Sequence, residues 1–392
     1  MTSPAYDEQP ARTVLEDKIR QRRQTFEEFA EYAETFAHEH REPGTLSARH
    51  LQRLAAGRRA DGRPIGPVRP ATRRLLEHIF GCSVEELLGP SGRDDATPEV
   101  SGLPQQIHEL SSAIAASQRV DDETVLLLRQ QVDAIRHLDR RLGAITLLPQ
   151  LREQASYVAG LLHHAIAPRM RRELAAVLAD ACTLAGWQSM DRGELAHAWR
   201  HYETATAAAR EAGSPALESH ALAEQAVTLL DIGHTRAAVD MTVHARALGD
   251  RAGPRLLRTW LAAAHGEALA AHRDASDSLR AYDDAGELLP APTDHESPSP
   301  YIALDATHLA RWRGHALSRF GHPDAIDVLT SALECHDQSF TRGETSLRVD
   351  LAHAHAISGH HDAAREHRAH ARNLALTIGS VRQQRRLAQS NA

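Results

Sequence analysis

The chain has 392 residues, 4 % of them aromatic and 25 % charged, with a formal net charge of −7 at pH 7. That length is too great for one compact core, and the abundance of alanine and leucine with few β-branched runs excludes a sheet protein; an all-α fold of several domains or a repeat array is predicted. Cys82, Cys182 and Cys335 lie far apart, which excludes a disulfide framework or zinc knuckle.

No apolar run reaches membrane-spanning length, and the opening residues do not resemble a signal peptide, so the expectation is a cytoplasmic protein with no membrane partner. The charge is unevenly spread. Between Thr45 and Leu75 eight arginines face one acid, Asp61, giving +7 and leaving −14 for the rest of the chain. A small basic region in an acidic chain is the footprint expected of contact with a polyanion.

Residues 1–12 are polar and contain Pro4 and Pro10, so a disordered lead-in is predicted. Val14–Arg23 can form a first helix with Leu15 and Ile19 inward. Thr25 and Glu28 form a capping box for a second helix, Phe26–Ala37, whose Phe26, Phe29, Ala33 and Phe36 make a core stripe. Ser47 caps a third helix that Gly57 ends. Its Leu46, Leu51 and Leu54 turn inward, while Arg49, His50 and Arg53 share the other face. An Arg-rich Gly/Pro loop, a helix Pro70–Phe80 and a short capped helix Ser83–Gly89 complete a domain of five helices over 13–89.

Thr25-Phe-Glu-Glu-Phe-Ala, Leu46-Ser-Ala-Arg-His-Leu-Gln-Arg-Leu-Ala-Ala-Gly-Arg-Arg and Phe80-Gly-Cys-Ser-Val-Glu-Glu-Leu-Leu-Gly-Pro90 together resemble the phage-repressor (XRE-type, lambda-repressor-like) helix–turn–helix domain. The form they are most similar to occurs in actinobacterial transcriptional regulators that carry helical repeats behind it. The resemblance implies that Ser47, Arg49, His50 and Arg53 lie on the recognition helix, and that Arg58 and Arg59 meet the DNA backbone just past it. Arg63 and Arg69 would add attraction to phosphate that is independent of sequence. Phe26 stands where such domains have a phosphate-binding Gln, and the connection His38–Leu46 is longer than their usual turn.

Residues 90–105 read as a linker by composition. Amphipathic helices follow around 106–117, 121–142 and 147–165. Val125, Leu128, Val132, Ile135, Leu138 and Leu142 form a stripe that serves either as a dimer seam or as packing against the repeat array. From about residue 171 the chain repeats. A Gly is followed five positions later by a small or apolar residue in Gly193–Ala198, Gly233–Ala238, Gly321–Ile326 and Gly359–Ala364, and a copy at His272–Ser278 lacks the Gly. Gly186, Gly266 and Gly314 recur about twelve residues before the turn position, and Tyr202 and Tyr282 four after it. With a period near 40 these units resemble tetratricopeptide repeats, so an α-solenoid is expected over 171–392.

The resemblance implies a groove along the first helix of each pair, placing Asp180, Thr183, Trp187, His220, Trp260, Glu267, His308, Arg311, His315 and His353 where a peptide, small ligand or protein partner binds. The tryptophans have a structural alternative as filler between repeats. The histidines clustered from His353 to His370 lack metal-ligand spacing and read as surface residues, so neither metal nor cofactor is expected. No phosphate loop, nucleophile elbow or zincin motif is present, and no catalysis is expected. The reading is a homodimeric regulator that binds a double-stranded DNA operator and senses a ligand. The alternative is a repeat scaffold for protein partners with a vestigial helix–turn–helix.

Overall fold

The computed structural model describes residues 11–22, 24–40, 42–57, 68–89, 103–291 and 304–389, and among them are helices α1 to α19 and no strand. The fold is all-α with a repeat array, and contacts divide the chain into two units, Met1–Gln105 and Gln106–Ala392. Nearly all of the lead-in, Arg58, Arg59 and Arg63, and most of the linker lie outside the described residues.

In the first unit, α1 (Val14–Gln21), α2 (Phe26–Glu39), α3 (Ala48–Ala55), α4 (Pro70–Phe80) and α5 (Val84–Leu87) each start where a side chain or a proline can begin a helix. The hydroxyls of Thr13, Thr25, Ser47 and Ser83 accept from backbone amides of the first turns, and Glu28 and Glu86 complete two capping boxes. Pro70 opens α4, where its missing amide costs nothing. Leu15, Phe29, Ala33, Leu51, Leu75, Leu76 and Leu87 are fully buried and form the common core. Thr13 has a second task. Its Oγ1 donates to the Ala55 carbonyl at 2.8 Å, which ties the start of α1 to the end of α3.

The boundary falls in the first turn of α6 (Leu103–Gln118), which takes up the last residues of the expected linker, and the second unit continues with α7 (Asp122–Leu142) and α8 (Leu147–His164). Of the stripe on α7, Val125, Leu128, Val132 and Ile135 are buried inside the unit. Leu138 and Leu142 are 44 % and 56 % exposed, because beyond Ile135 the inward positions are taken by Arg136 and Asp139. Four of the six stripe residues thus pack within the unit, in the same core cluster as residues of α8 and the array.

Five helix pairs come next: α9 (Pro168–Asp191) with α10 (Leu195–Ala212), α11 (Pro215–Asp231) with α12 (Thr235–Ala252), α13 (Arg255–Ala271) with α14 (Ala275–Leu288), α15 (Ala306–Phe320) with α16 (Ala325–Glu334), and α17 (Thr341–Ile357) with α18 (His361–Thr377). A last helix, α19 (Val381–Gln389), ends the described chain.

The turn inside every pair is the same. The first helix ends in a left-handed residue, and the next amide reaches back five positions to a carbonyl: Glu194 to Ser189, His234 to Leu229, Asp274 to Leu269, His322 to Leu317, His360 to His355. Gly193, Gly233, Gly321 and Gly359 hold the left-handed position at φ of +78°, +85°, +65° and +80°. In the copy without glycine, Arg273 is forced into the same conformation at φ +68°. The crossing is also shared. A Cβ on Gly186 would come within 2.6 Å of the Tyr202 ring, and one on Gly266 within 2.9 Å of Tyr282. Both tyrosines are buried and fill the space that the glycines leave.

Two substitutions test this account. Gly186→Ala drives a methyl into Tyr202 and is expected to destabilise by about 1–3 kcal/mol in urea unfolding. Arg273→Gly relieves a left-handed arginine and is expected to raise the urea midpoint, equivalent to roughly 0.5–1 kcal/mol, at an unchanged m-value.

Candidate functional site

The array does not stay open. α7, which precedes it, packs against α17 near its end, and α19 packs against both α9 and α17. Arg342 of α17 joins these elements. Its Nη2 donates to Asp139 Oδ1 of α7 at 2.7 Å. Its Nη1 lies 2.7 Å from Asp191 Oδ2 of α9, close enough for a Coulombic pair but off the direction of a hydrogen bond. Ser380 donates to the other Asp191 oxygen at 2.6 Å, and Arg382 of α19 makes a forked contact with Asp231 of α11.

Closure leaves a partly open cavity of about 240 Å³. Its lining comes from α7, from the first helix of each pair with Phe340 just ahead of α17, and from α19; no second helix of a pair contributes. Along each first helix the lining residues recur at three and four, as in Asp180, Thr183, Trp187 and in His220, Glu224, Val227. Of the groove residues expected from sequence, Asp180, Thr183, Trp187, His220, Trp260, Glu267, Arg311 and His315 are brought together here. His308 and His353 are not. His308 lies against Phe340 and the α15 cap residue Asp305, and His353 is half-buried outside the lining, one turn beyond Asp350, the last residue of α17 to reach the cavity.

Sequence reasoning missed Arg136, Asp139, Glu224, Trp312, Arg342, Asp350, Arg382 and Arg386. Helical spacing from His220 and His315 points to Glu224 and Trp312. No local pattern marks the residues of α7 and α19, because they enter from outside the repeats.

The lining is aromatic and ionic at once. Trp260 meets His220 edge-on at 4.9 Å and Trp312 at 5.9 Å, and Trp187 lies between the guanidinium groups of Arg342 and Arg382 at 5.7 and 5.9 Å. His315 bridges two helices, with Nδ1 2.7 Å from Asp350 Oδ1 and Nε2 3.1 Å from Glu267 Oε1. Burial resists ionisation of Glu267, but His315 and Arg319 outweigh it and hold the carboxyl down to about 2. Asp350 is held lower still, by His315 and Arg386 against the same burial.

Glu224 has no such support. Burial lifts its carboxyl to about 7, with Arg382 pulling only partly the other way. Its near neighbour His220, 3.8 Å away, is driven down to about 3 by burial and by Arg136, so this contact is no ion pair at neutral pH.

The first unit carries a separate candidate surface on α3. Arg49 and Arg53 are exposed on the face opposite the core, with His50 half-buried between them and Ser47 occupied as the cap. Arg69 is also exposed; burial first, then the charges of Arg53 and Arg69, hold the His50 imidazole below its ordinary value. Among the described residues none of these three arginines has a carboxylate partner. Arg73 on α4, by contrast, is clamped by both oxygens of Glu85 at 3.0 and 2.5 Å.

No family model matches this sequence, and no curated protein does. Among solved structures the chain is similar to a Rap protein in complex with the competence and sporulation factor: 15 % identity, 96 % of this chain and 98 % of that one covered, TM-score 0.46. At that identity and score the likeness says nothing of what this chain binds. No described helix is long and apolar enough to cross a membrane.

The raised Glu224 carboxyl has a measurable consequence. Between its unfolded value of 4.5 and about 7 the folded state holds a proton that the unfolded chain has released, so stability falls as pH rises through that window. Glu224→Gln is expected to flatten that part of the profile. Its melting temperature should exceed the parent's at pH 8 and match it at pH 4, as thermal unfolding across the range would read.

Proposed function

We propose that this chain is a cytoplasmic transcriptional regulator of the helix–turn–helix and repeat type, which binds double-stranded DNA through α3 and takes a peptide or small ligand in the cavity of the repeat unit. The observation that carries the DNA reading is the set of exposed, uncommitted arginines around α3, Arg49, Arg53 and Arg69, in a protein that otherwise pairs its arginines widely. Arg49 and Arg53 are one helical turn apart and can reach guanine edges or adjacent phosphates together. As a homodimer, two copies of α3 would meet two half-sites of an operator. A ligand would then change DNA affinity to the extent that it binds the competent and incompetent arrangements of the protein differently.

One observation favours the second reading, a repeat scaffold whose first unit no longer reads bases. Glu27, Glu28, Glu31 and Glu34 are exposed along α2, and Gln52 of α3 reaches across to Glu27 at 3.4 Å. Phosphates approaching α3 from that side meet carboxylates, which repel them.

Selection of random genomic fragments by the purified protein at two salt concentrations separates the two. The regulator reading expects an inverted-repeat motif that survives the higher salt, and at least a tenfold loss of affinity for it in Arg49→Ala/Arg53→Ala with folding intact. Fragments without a motif, lost as salt rises, return the protein to the scaffold class.

A further inference from the structure

Of the six arginines lining the cavity four are committed, and among the described residues Arg140 of α7 and Arg311 of α15 are not. Arg136 pairs with Asp180 at 2.5 Å and with Asp133, Arg342 with Asp139, Arg382 with Asp231, and Arg386 with Asp350 at 2.5 Å. Arg311 of α15 is different. Among the described residues it makes neither an ion pair nor a hydrogen bond, and its Nε is buried with no partner. Its guanidinium stands 5.9 Å from the centre of the Phe340 ring, on the cavity wall beside Trp312. It feels two carboxylates, Asp350, already taken by His315 and Arg386, and more weakly Asp305, which caps α15 and contacts His308. Burial accordingly lowers Arg311 to about 10.

A guanidinium whose Nε is shut away from water with no acceptor, and which has only the Phe340 ring for company, costs stability, and an apolar side chain of similar length would serve the packing better. An arginine held under that strain in a cavity wall is a receptor for an anion that arrives from outside. The wall around it states what else the anion carries: Trp260, Trp312 and Phe340 offer aromatic surface, while the nearby Arg386 is already paired with Asp350. A volume of about 240 Å³ suits a small molecule or the end of a short peptide and excludes a folded partner.

We propose that the cavity binds a small organic carboxylate, its acid group held by Arg311 and its aromatic or aliphatic body lying against Trp260, Trp312 and Phe340. This rests on the reading of the cavity as a ligand site and is independent of the DNA reading.

The experiment compares 3-phenylpropionate with its neutral amide, 3-phenylpropionamide, by calorimetric titration of the full chain, wild type and Arg311→Met, with the melting temperature of each protein recorded without ligand. The expected result is that wild type binds the acid at least tenfold more tightly than the amide and that Arg311→Met loses this preference. The ligand-free variant melts several degrees higher, because an unpaired buried cation is gone. A structural arginine gives the opposite thermal result, so a lower melting temperature or a failure to fold in Arg311→Met overturns the proposal. Equal affinity of wild type for acid and amide also overturns it while leaving the cavity as a ligand site. Binding of neither compound to wild type overturns both.

Discussion

The repeat unit depends on one buried cation held by two carboxylates from distant parts of the chain. The side chains of Arg342, Asp139 and Asp191 are 7 %, 4 % and 2 % exposed, and they come from α17, α7 and α9. Removing three charges from water is costly, and such a group adds little net stability over well-packed apolar residues. What it adds is register. Deleting any one member leaves an unpaired charge in the interior, typically a loss of about 3–5 kcal/mol, so only the arrangement that brings all three together is tolerated. Arg382 with Asp231 and Ser380 with Asp191 fasten α19 by the same means.

The cavity arises from that closure together with the small-residue crossings. Gly186 and Gly266 let the second helix of each pair lie close behind the first, so bulk accumulates on the outer layer as Tyr202 and Tyr282. The inner faces of the first helices then carry side chains that cannot all meet across the middle. Where acids and bases from different helices do reach each other they pair, as in His315 between Glu267 and Asp350. The groups left without an oppositely charged partner of their own, Glu224 and Arg311, have their ionisation shifted toward the neutral form by burial, which the more distant charges of Arg382 and Asp350 offset only in part.

Features fixed over a few residues were readable from sequence, and those fixed by long-range closure were not. Thr25 with Glu28, the recurring turn glycines and the Gly186–Tyr202 spacing all act within one helix or one hairpin, and each marks its element directly. The same periodicity set most of the cavity lining, since a helix face seen once recurs in each repeat. His353 lies on the same helical repeat as Arg342, Ser346 and Asp350 but one turn too far along α17, and how far the cavity extends along a helix is set by the neighbouring helices rather than by its own spacing. The stripe on α7 shows another. Leucines at Leu138 and Leu142 continue the apolar pattern on paper, yet the inward direction past Ile135 belongs to charged residues whose partners lie as many as 203 positions further along.

An ordinary solenoid has two ends, and each repeat there is held from one side only, so unravelling starts at the termini and spreads inward. Here α7, ahead of the array, is sewn to α17 and packed on α9, and α19, after the array, is held to α9 and α17. Fraying of α17 through α19 cannot proceed without also uncovering α7 and α9. The ten paired helices and their flanking segments therefore behave as a loop of chain with no loose terminal repeat, and the most remote amides along the sequence share one opening event.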